Sequence, residues 1–404
     1  MDVRDRARAG KMGLMHAPMG AVRRLMDLRH RGRAEDLPGV LTAAAPLLDA
    51  RAAIVLLVDY AQRELHPLRG TTPVAPQAVE GTPAGRAFTT GDQQWSPEPD
   101  GGGVLWLPLL HGAERLGVLA LRFTTYPVID LRDDLEVIAA LVAELIASRR
   151  FYGDAVEQTR RRLPMQLAAE VIWNQLPPLT YAIDGTTVTA VLEPCYDVGG
   201  DAFDYAANGE TLHVALFDTV GHGISASALT TLTLNTYRNA RRSGLSLVDT
   251  CRSIDKWIRA QYPGAFVTAL LAELDLASGV YRRISAGHPA ELFFRGDRSR
   301  SPLPSPNTLP LGLGHMLTRP PRVVEQRLEP GDTLVFYTDG ITEARDASGV
   351  LFGVDRLTAF FEDALRHRRP APETMRRLIH TIVSYEEEEL RDDATAAMLR
   401  WRTT

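Results

Sequence analysis

Cysteine is almost missing from this 404-residue chain: only Cys195 and Cys251 occur, too few for a disulfide framework, and no CxxC or Cys/His cluster suggests a zinc site. A reducing cytoplasmic setting is the expectation. Lysine is nearly absent too, since Lys11 and Lys256 are two of 45 basic residues and the other 43 are arginines. That bias points to a GC-rich bacterial coding sequence and says nothing about function. No apolar run approaches the ~20 residues that a membrane-spanning helix needs, and the basic N-terminus has no apolar signal-peptide core. Neither is there a strong excess of one charge, the formal net charge being −5, so nucleic acid and anionic membrane are not expected partners.

What is present is enough apolar material, 45% of residues, for two or three ordinary domains. The most informative stretch runs from Glu193 to Gly223, where Gly199-Gly200-Asp201 and Asp218-Thr219-Val220-Gly221 bracket the apolar run Leu212 to Phe217. The glycines permit a tight bend before Asp201, and the run reads as a buried strand that delivers Asp218 to its end. Two further carboxylate sites follow the same design: Thr333 to Thr338 stops at Asp339-Gly340, and Asp392-Asp393 precede the strand candidate Ala396 to Trp401. Carboxylates at strand ends in glycine-rich loops suit hard divalent cations, which take a few carboxylate oxygens and keep other positions for water and phosphate. Taken alone, Asp201 and Asp339 read better as turn residues.

The order of GGDAFDY, DTVGHG, SAGHPAELF, LPLGLG, YTDGITEARD, LFG and RDDATAAML resembles the PPM-type metal-dependent serine/threonine protein phosphatases, in their SpoIIE-like and RsbU-like bacterial branch, over residues 175 to 402. The resemblance implies an α+β fold, a C-terminal α-β-β-α sandwich of two antiparallel sheets flanked by helices. It implies two Mn²⁺ or Mg²⁺ ions held by Asp201, Asp218, Asp339 and Asp392, with Asp218 as the bridge, the Thr219 carbonyl as a further ligand, and Asp393 as an alternate or supporting carboxylate. Hydrolysis of phosphoserine or phosphothreonine by a metal-activated water follows, with a phosphorylated STAS-domain anti-anti-sigma protein as the implied substrate. A catalytically silent adaptor on the same fold is the competing reading. His222 reads as a helix-start residue and His288 as a turn histidine near the site; Glu343 reads as a brace, and Asp197 and Asp204 as surface or supporting carboxylates. No general acid can be assigned.

Upstream, helix, strand, a variable middle containing GTPAGRAFTTGDQQW, a hairpin and a final helix resemble a GAF domain. The expected organisation is a flexible leader over 1–33, frayed or a short helix, a GAF-like sensor domain over 34–150, a helical linker over 151–177 and the phosphatase domain over 178–404. Leu135, Ile138, Val142 and Leu145, continued by Leu163, Leu167 and Val171, keep a spacing of about 3.5 residues. From this a kinked connecting helix is expected, with the stripe buried against a second copy, as a homodimer, or against the phosphatase domain.

Overall fold

The computed structural model describes residues 19–28, 32–70, 74–197, 199–301, 303, 308–387 and 390–401. The chain divides into two compact units after Leu163.

The first unit is built on one antiparallel sheet formed by β1 (Ala52–Val58), β2 (Glu64–Pro67), β3 (Gln77–Ala78), β4 (Gln94–Pro97), β5 (Gly103–His111) and β6 (Glu114–Phe123), in the order β3-β2-β1-β6-β5-β4. On one face the helix Pro83–Thr90 buries Ala84, Ala87 and Phe88 against Leu56, Val58 and Val118. That helix begins at Thr82, whose hydroxyl accepts the Gly85 N–H, and stops at Gly91 with φ +78, the left-handed conformation that ends a helix without strain. The opposite face is covered by the helices Leu37–Ala44 and Ile129–Arg149.

Two departures from the expected bounds occur in this unit. Residues 19–28 of the supposed leader form a helix whose Ala21, Leu25 and Leu28 are buried in the core, an i, i+4, i+7 stripe masked in the sequence by surrounding arginines; residues 1–18 and 29–31 lie outside the described part. The expected connecting helix is also broken. Helix Ile129–Arg149 ends before Gly153, whose backbone is extended, and the helix Ala155–Arg160 ends where Arg161 turns to the extended conformation ahead of Pro164. The expected linker 151–177 is therefore divided, its first part belonging to one unit and its second to the other. Leu135, Ile138, Val142 and Leu145 face this unit's own sheet, so they supply no apolar face for a second copy.

The second unit has two antiparallel sheets with helices on their outer faces, the sandwich expected. One sheet contains β9 (Ala202–Asn208), β10 (Thr211–Thr219), β11 (Val267–Asp275), β12 (Val280–Ala286) and β15 (Val324–Arg327); the other contains β7 (Thr180–Ile183), β8 (Thr186–Glu193), β13 (Leu292–Arg295), β14 (Arg298–Ser299), β16 (Thr333–Tyr337) and β17 (Ala394–Arg400). Alternation along β10 explains its unbroken apolar run. Leu212, Val214 and Leu216 face the other sheet, while Ala215 and Phe217 face the helices Gly223–Arg242 and Leu247–Gln261. The helices Gly353–Arg366 and Ala371–Tyr385 cover the far side of the second sheet. β7 and β9 escape the sequence pattern. In β9 a charged Asp204 interrupts the apolar signal, yet that side chain is buried and bonded by Arg238 and Arg241 of the helix Gly223–Arg242, each at 2.8 Å. Asp204 thus ties sheet to helix and is not a surface residue, and its charge is tolerated because both oxygens are engaged.

Candidate metal centre at the facing sheet ends

Strand register brings the predicted aspartates together. Phe217 pairs with Ala202 and Asp218 with Thr268, so Asp201 and Asp218 stand side by side at one end of the first sheet. Tyr337 pairs with Ala396, and Thr338 N–H donates to Thr395, which sets Asp339 beside Asp392 and Asp393 at the adjoining end of the second sheet.

Two side chains join the sheets at this point. Asp393 accepts the N–H groups of Gly199, Gly200 and Asp201, its Oδ2 at 2.8, 2.7 and 3.1 Å, and its Oδ1 lies 2.9 Å from the Gly199 nitrogen. Thr338 donates its hydroxyl to Asp201 Oδ2 at 2.8 Å. The glycines are required by contact. A Cβ on Gly200 would lie 2.5 Å from the Thr219 carbonyl oxygen, and one on Gly340 would lie 2.1 Å from the Asp393 carbonyl oxygen. Thr230 adds a further tie, donating to the Gly200 carbonyl at 2.7 Å and contacting the Thr219 hydroxyl at 2.8 Å.

The electrostatics follow from that crowding. Asp201 is buried and its carboxyl is held well above the usual range, first by burial and then by the charges of Asp393 and Asp218. Asp218 is pushed up to about 6 by burial and by Asp339 and Asp392, with the Thr268 hydroxyl at 3.3 Å opposing the shift. Burial, Asp392 and Glu343 raise Asp339. The principal charges acting on these carboxylates are other carboxylates, which is the charge pattern that a divalent cation relieves. Among the described residues no three acidic, histidine or cysteine side chains close on one point at ion-binding distance. The carboxylates stand at the adjoining ends of the two sheets, and the donor set fits hard cations.

The other candidates take different places. His222 is exposed and caps nothing with its side chain at the start of the helix Gly223–Arg242. His288 is buried and lies 2.9 Å from the Thr268 hydroxyl, so it backs Asp218 through one intervening side chain, and burial holds it down to about 4. Glu343 is exposed at the end of the short helix Asp339–Thr342 and acts on Asp339 through its charge. Thr338, Thr268 and Thr230 were not legible as site residues, because their roles depend on strands far apart in sequence.

Residues 208–402 match the family described as Stage II sporulation protein E (SpoIIE). The chain is 22% identical over 262 residues to the phosphoserine phosphatase RsbU of Bacillus subtilis (strain 168), covering 62% of this chain and 76% of RsbU. It is 26% identical over 193 residues to the phosphoserine phosphatase RsbP of the same organism, spanning 46% of each. Among solved structures, the SiaA-PP2C domain of Pseudomonas aeruginosa is 20% identical, with 63% of this chain and 99% of that one covered at a TM-score of 0.49. The segment that carries most of the facing sheet ends, residues 208–402, is thus similar to the SpoIIE family, and RsbU and RsbP are among the relatives of this chain.

Proposed function

We propose that the second unit is a metal-dependent protein phosphatase acting on phosphoserine and phosphothreonine, and that the first unit is a GAF-like sensor that controls it. The observation that carries this reading is that Asp201, Asp218, Asp339 and Asp392 gather at the adjoining sheet ends, where burial first and neighbouring carboxylates second raise Asp201, Asp218 and Asp339. These four would hold two Mn²⁺ or Mg²⁺ ions with the Thr219 carbonyl, Asp218 lying between the two sites. Bound there, such ions would supply Lewis-acid polarisation of phosphoryl oxygens and activation of a water molecule. The chain's own contribution is placement. Asp393 fixes the Gly199–Asp201 backbone, Thr338 orients Asp201, and Thr268, backed by His288, orients Asp218. Asp393 belongs in this reading to the loop, since its oxygens are already occupied by amide N–H groups, and Asp392 is the carboxylate left to a cation.

The SpoIIE-like and RsbU-like resemblance makes a phosphorylated STAS-domain anti-anti-sigma protein the substrate. Cys195 and Cys251 are buried and form no disulfide, which suits a reducing cytoplasm, and no helix among the described residues is long and apolar enough to cross a membrane. A silent adaptor is disfavoured because every carboxylate position is kept. The test is Mn²⁺-dependent phosphate release from a phosphorylated STAS protein by the full chain. Asp218→Asn should leave under a few per cent of wild-type turnover at saturating Mn²⁺, because one neutral side chain then faces two cations; turnover near the wild-type level would remove Asp218 from its assigned place.

A further inference from the structure

A cavity of about 360 Å³ lies on the same unit, outside the carboxylate cluster, between the helix Leu247–Gln261 and the segment 308–321. Its wall is preorganised. Gly312, in the left-handed region at φ +100, and Gly314 donate their N–H groups to Asp255 at 2.8 and 2.7 Å. Asp255 is the one carboxylate among the lining residues, and Arg259 approaches it at 3.7 Å, so its charge is matched within the wall. Lys256 and Arg319 are exposed on the same lining and have no carboxylate partner among the described residues. Leu309 and Leu311 supply an apolar floor. An excess of cationic groups over such a floor, in a chain of net charge −5, selects an anionic ligand with an apolar side chain.

The cavity is also joined to the candidate site by backbone. Leu311 and Val267 exchange both N–H to carbonyl bonds at 2.9 Å, and the next residue, Thr268, pairs with Asp218. Standard spacings along this path place the Leu311 Cα within roughly 15 Å of the Asp218 Cα. An extended segment of about five residues spans that interval.

We propose that this cavity docks an acidic segment of the phosphoprotein substrate: glutamate or aspartate side chains meet Lys256 and Arg319, an apolar side chain enters the Leu309–Leu311 floor, and the phosphorylated residue lies about five residues away at the carboxylate cluster. The kinetic part rests on the phosphatase reading above, whereas the binding part stands apart from it. The experiment compares the full chain with its K256E/R319E double variant. Fluorescence anisotropy is read with an unphosphorylated Glu-Leu-Glu-rich peptide, its Gln counterpart and its Lys counterpart. The acidic peptide should bind wild type, lose about tenfold in affinity on the double variant and lose as much when its glutamates become glutamines, while the Lys peptide regains binding on the variant. With a phosphoserine five residues from the acidic segment, KM should rise about tenfold in the variant at unchanged kcat, and p-nitrophenyl phosphate turnover should not move. Equal binding of the acidic and Gln peptides by wild type, or equal losses for both on the variant, would overturn the proposal. A wild-type chain that binds the acidic peptide yet hydrolyses no phosphoserine would sink the phosphatase reading and leave the docking site standing as an acidic-peptide site.

Discussion

Replacing Asp393 separates the two roles a carboxylate can play at this centre. Its oxygens accept three consecutive backbone N–H groups and are nearly shut off from solvent. Asp393→Ala leaves those amides buried without an acceptor. Bonds to a charged acceptor contribute about 1.5–3 kcal/mol each and do not add fully, so the expected loss of stability in the second unit is about 3–5 kcal/mol. Asp393→Asn keeps one carbonyl oxygen in place and removes a charge that burial already disfavours and that Asp392 repels; a loss of about 1–2 kcal/mol is expected. Native-state hydrogen exchange at Gly199, Gly200 and Asp201 in the full chain reads the clamp directly, and Mn²⁺ titration reads cation affinity. Both variants should speed exchange at those three amides, Ala more than Asn, with the Asn variant still binding Mn²⁺ far better than Asp218→Asn does. If Asp393→Asn weakens Mn²⁺ as much as Asp218→Asn while exchange at the three amides is unchanged, Asp393 is a ligand and the clamp argument is wrong.

Gly340→Ala drives a Cβ into the Asp393 carbonyl oxygen, 2.1 Å from its ideal position, and should cost about 1–3 kcal/mol and lower activity by moving Asp393, as measured by urea unfolding and phosphate release; wild-type values for both would show that the carbonyl yields freely. Burial holds His288 and His213 down to about 4, so each favours the neutral form in the folded state, and the stability they contribute is complete above pH 6.5 and is lost as pH falls towards 4. For the fully buried His288 the loss reaches about 2 kcal/mol by pH 5, while the raised carboxylates Asp201 and Asp218 pull the opposite way. The readout is therefore the difference in urea midpoint between wild type and His288→Asn, which should shrink from pH 7.5 to pH 5; a difference that grows on acidification would contradict the sign.

Much of the second unit was legible because its strands are buried on both faces and read as apolar runs. The expected strand over Leu212 to Phe217 lies within Thr211–Thr219, and the one over Thr333 to Thr338 overruns Thr333–Tyr337 by a single residue. Where polarity enters a strand the reading fails. β9 carries Asp204, whose partners Arg238 and Arg241 come from a helix more than 30 residues later, and no local pattern announces that pairing. The stripe Leu135–Leu145 failed for a related reason: helical periodicity reports that one face is covered, but the cover may be the unit's own sheet or another chain, and only the fold decides.

For the site, the glycine-flanked aspartates could be found because chemistry and backbone geometry restrict the same residues. Gly200 must lack a side chain where the Thr219 carbonyl packs, and Asp201 follows it at once. Thr338, Thr268 and His288 carry no such double mark, since a threonine ending a strand and a histidine before proline are common in any fold. Their function comes from register: Thr268 lies opposite Asp218 only because β10 and β11 pair as they do, and Thr338 reaches Asp201 only because two different sheets end at the same place. A one-residue slip of β11 against β10 would turn Thr268 to the other face and take its hydroxyl from Asp218. The carboxylates are thus marked by the glycines beside them and by the strand ends they occupy, whereas their orientation is a property of strand pairing.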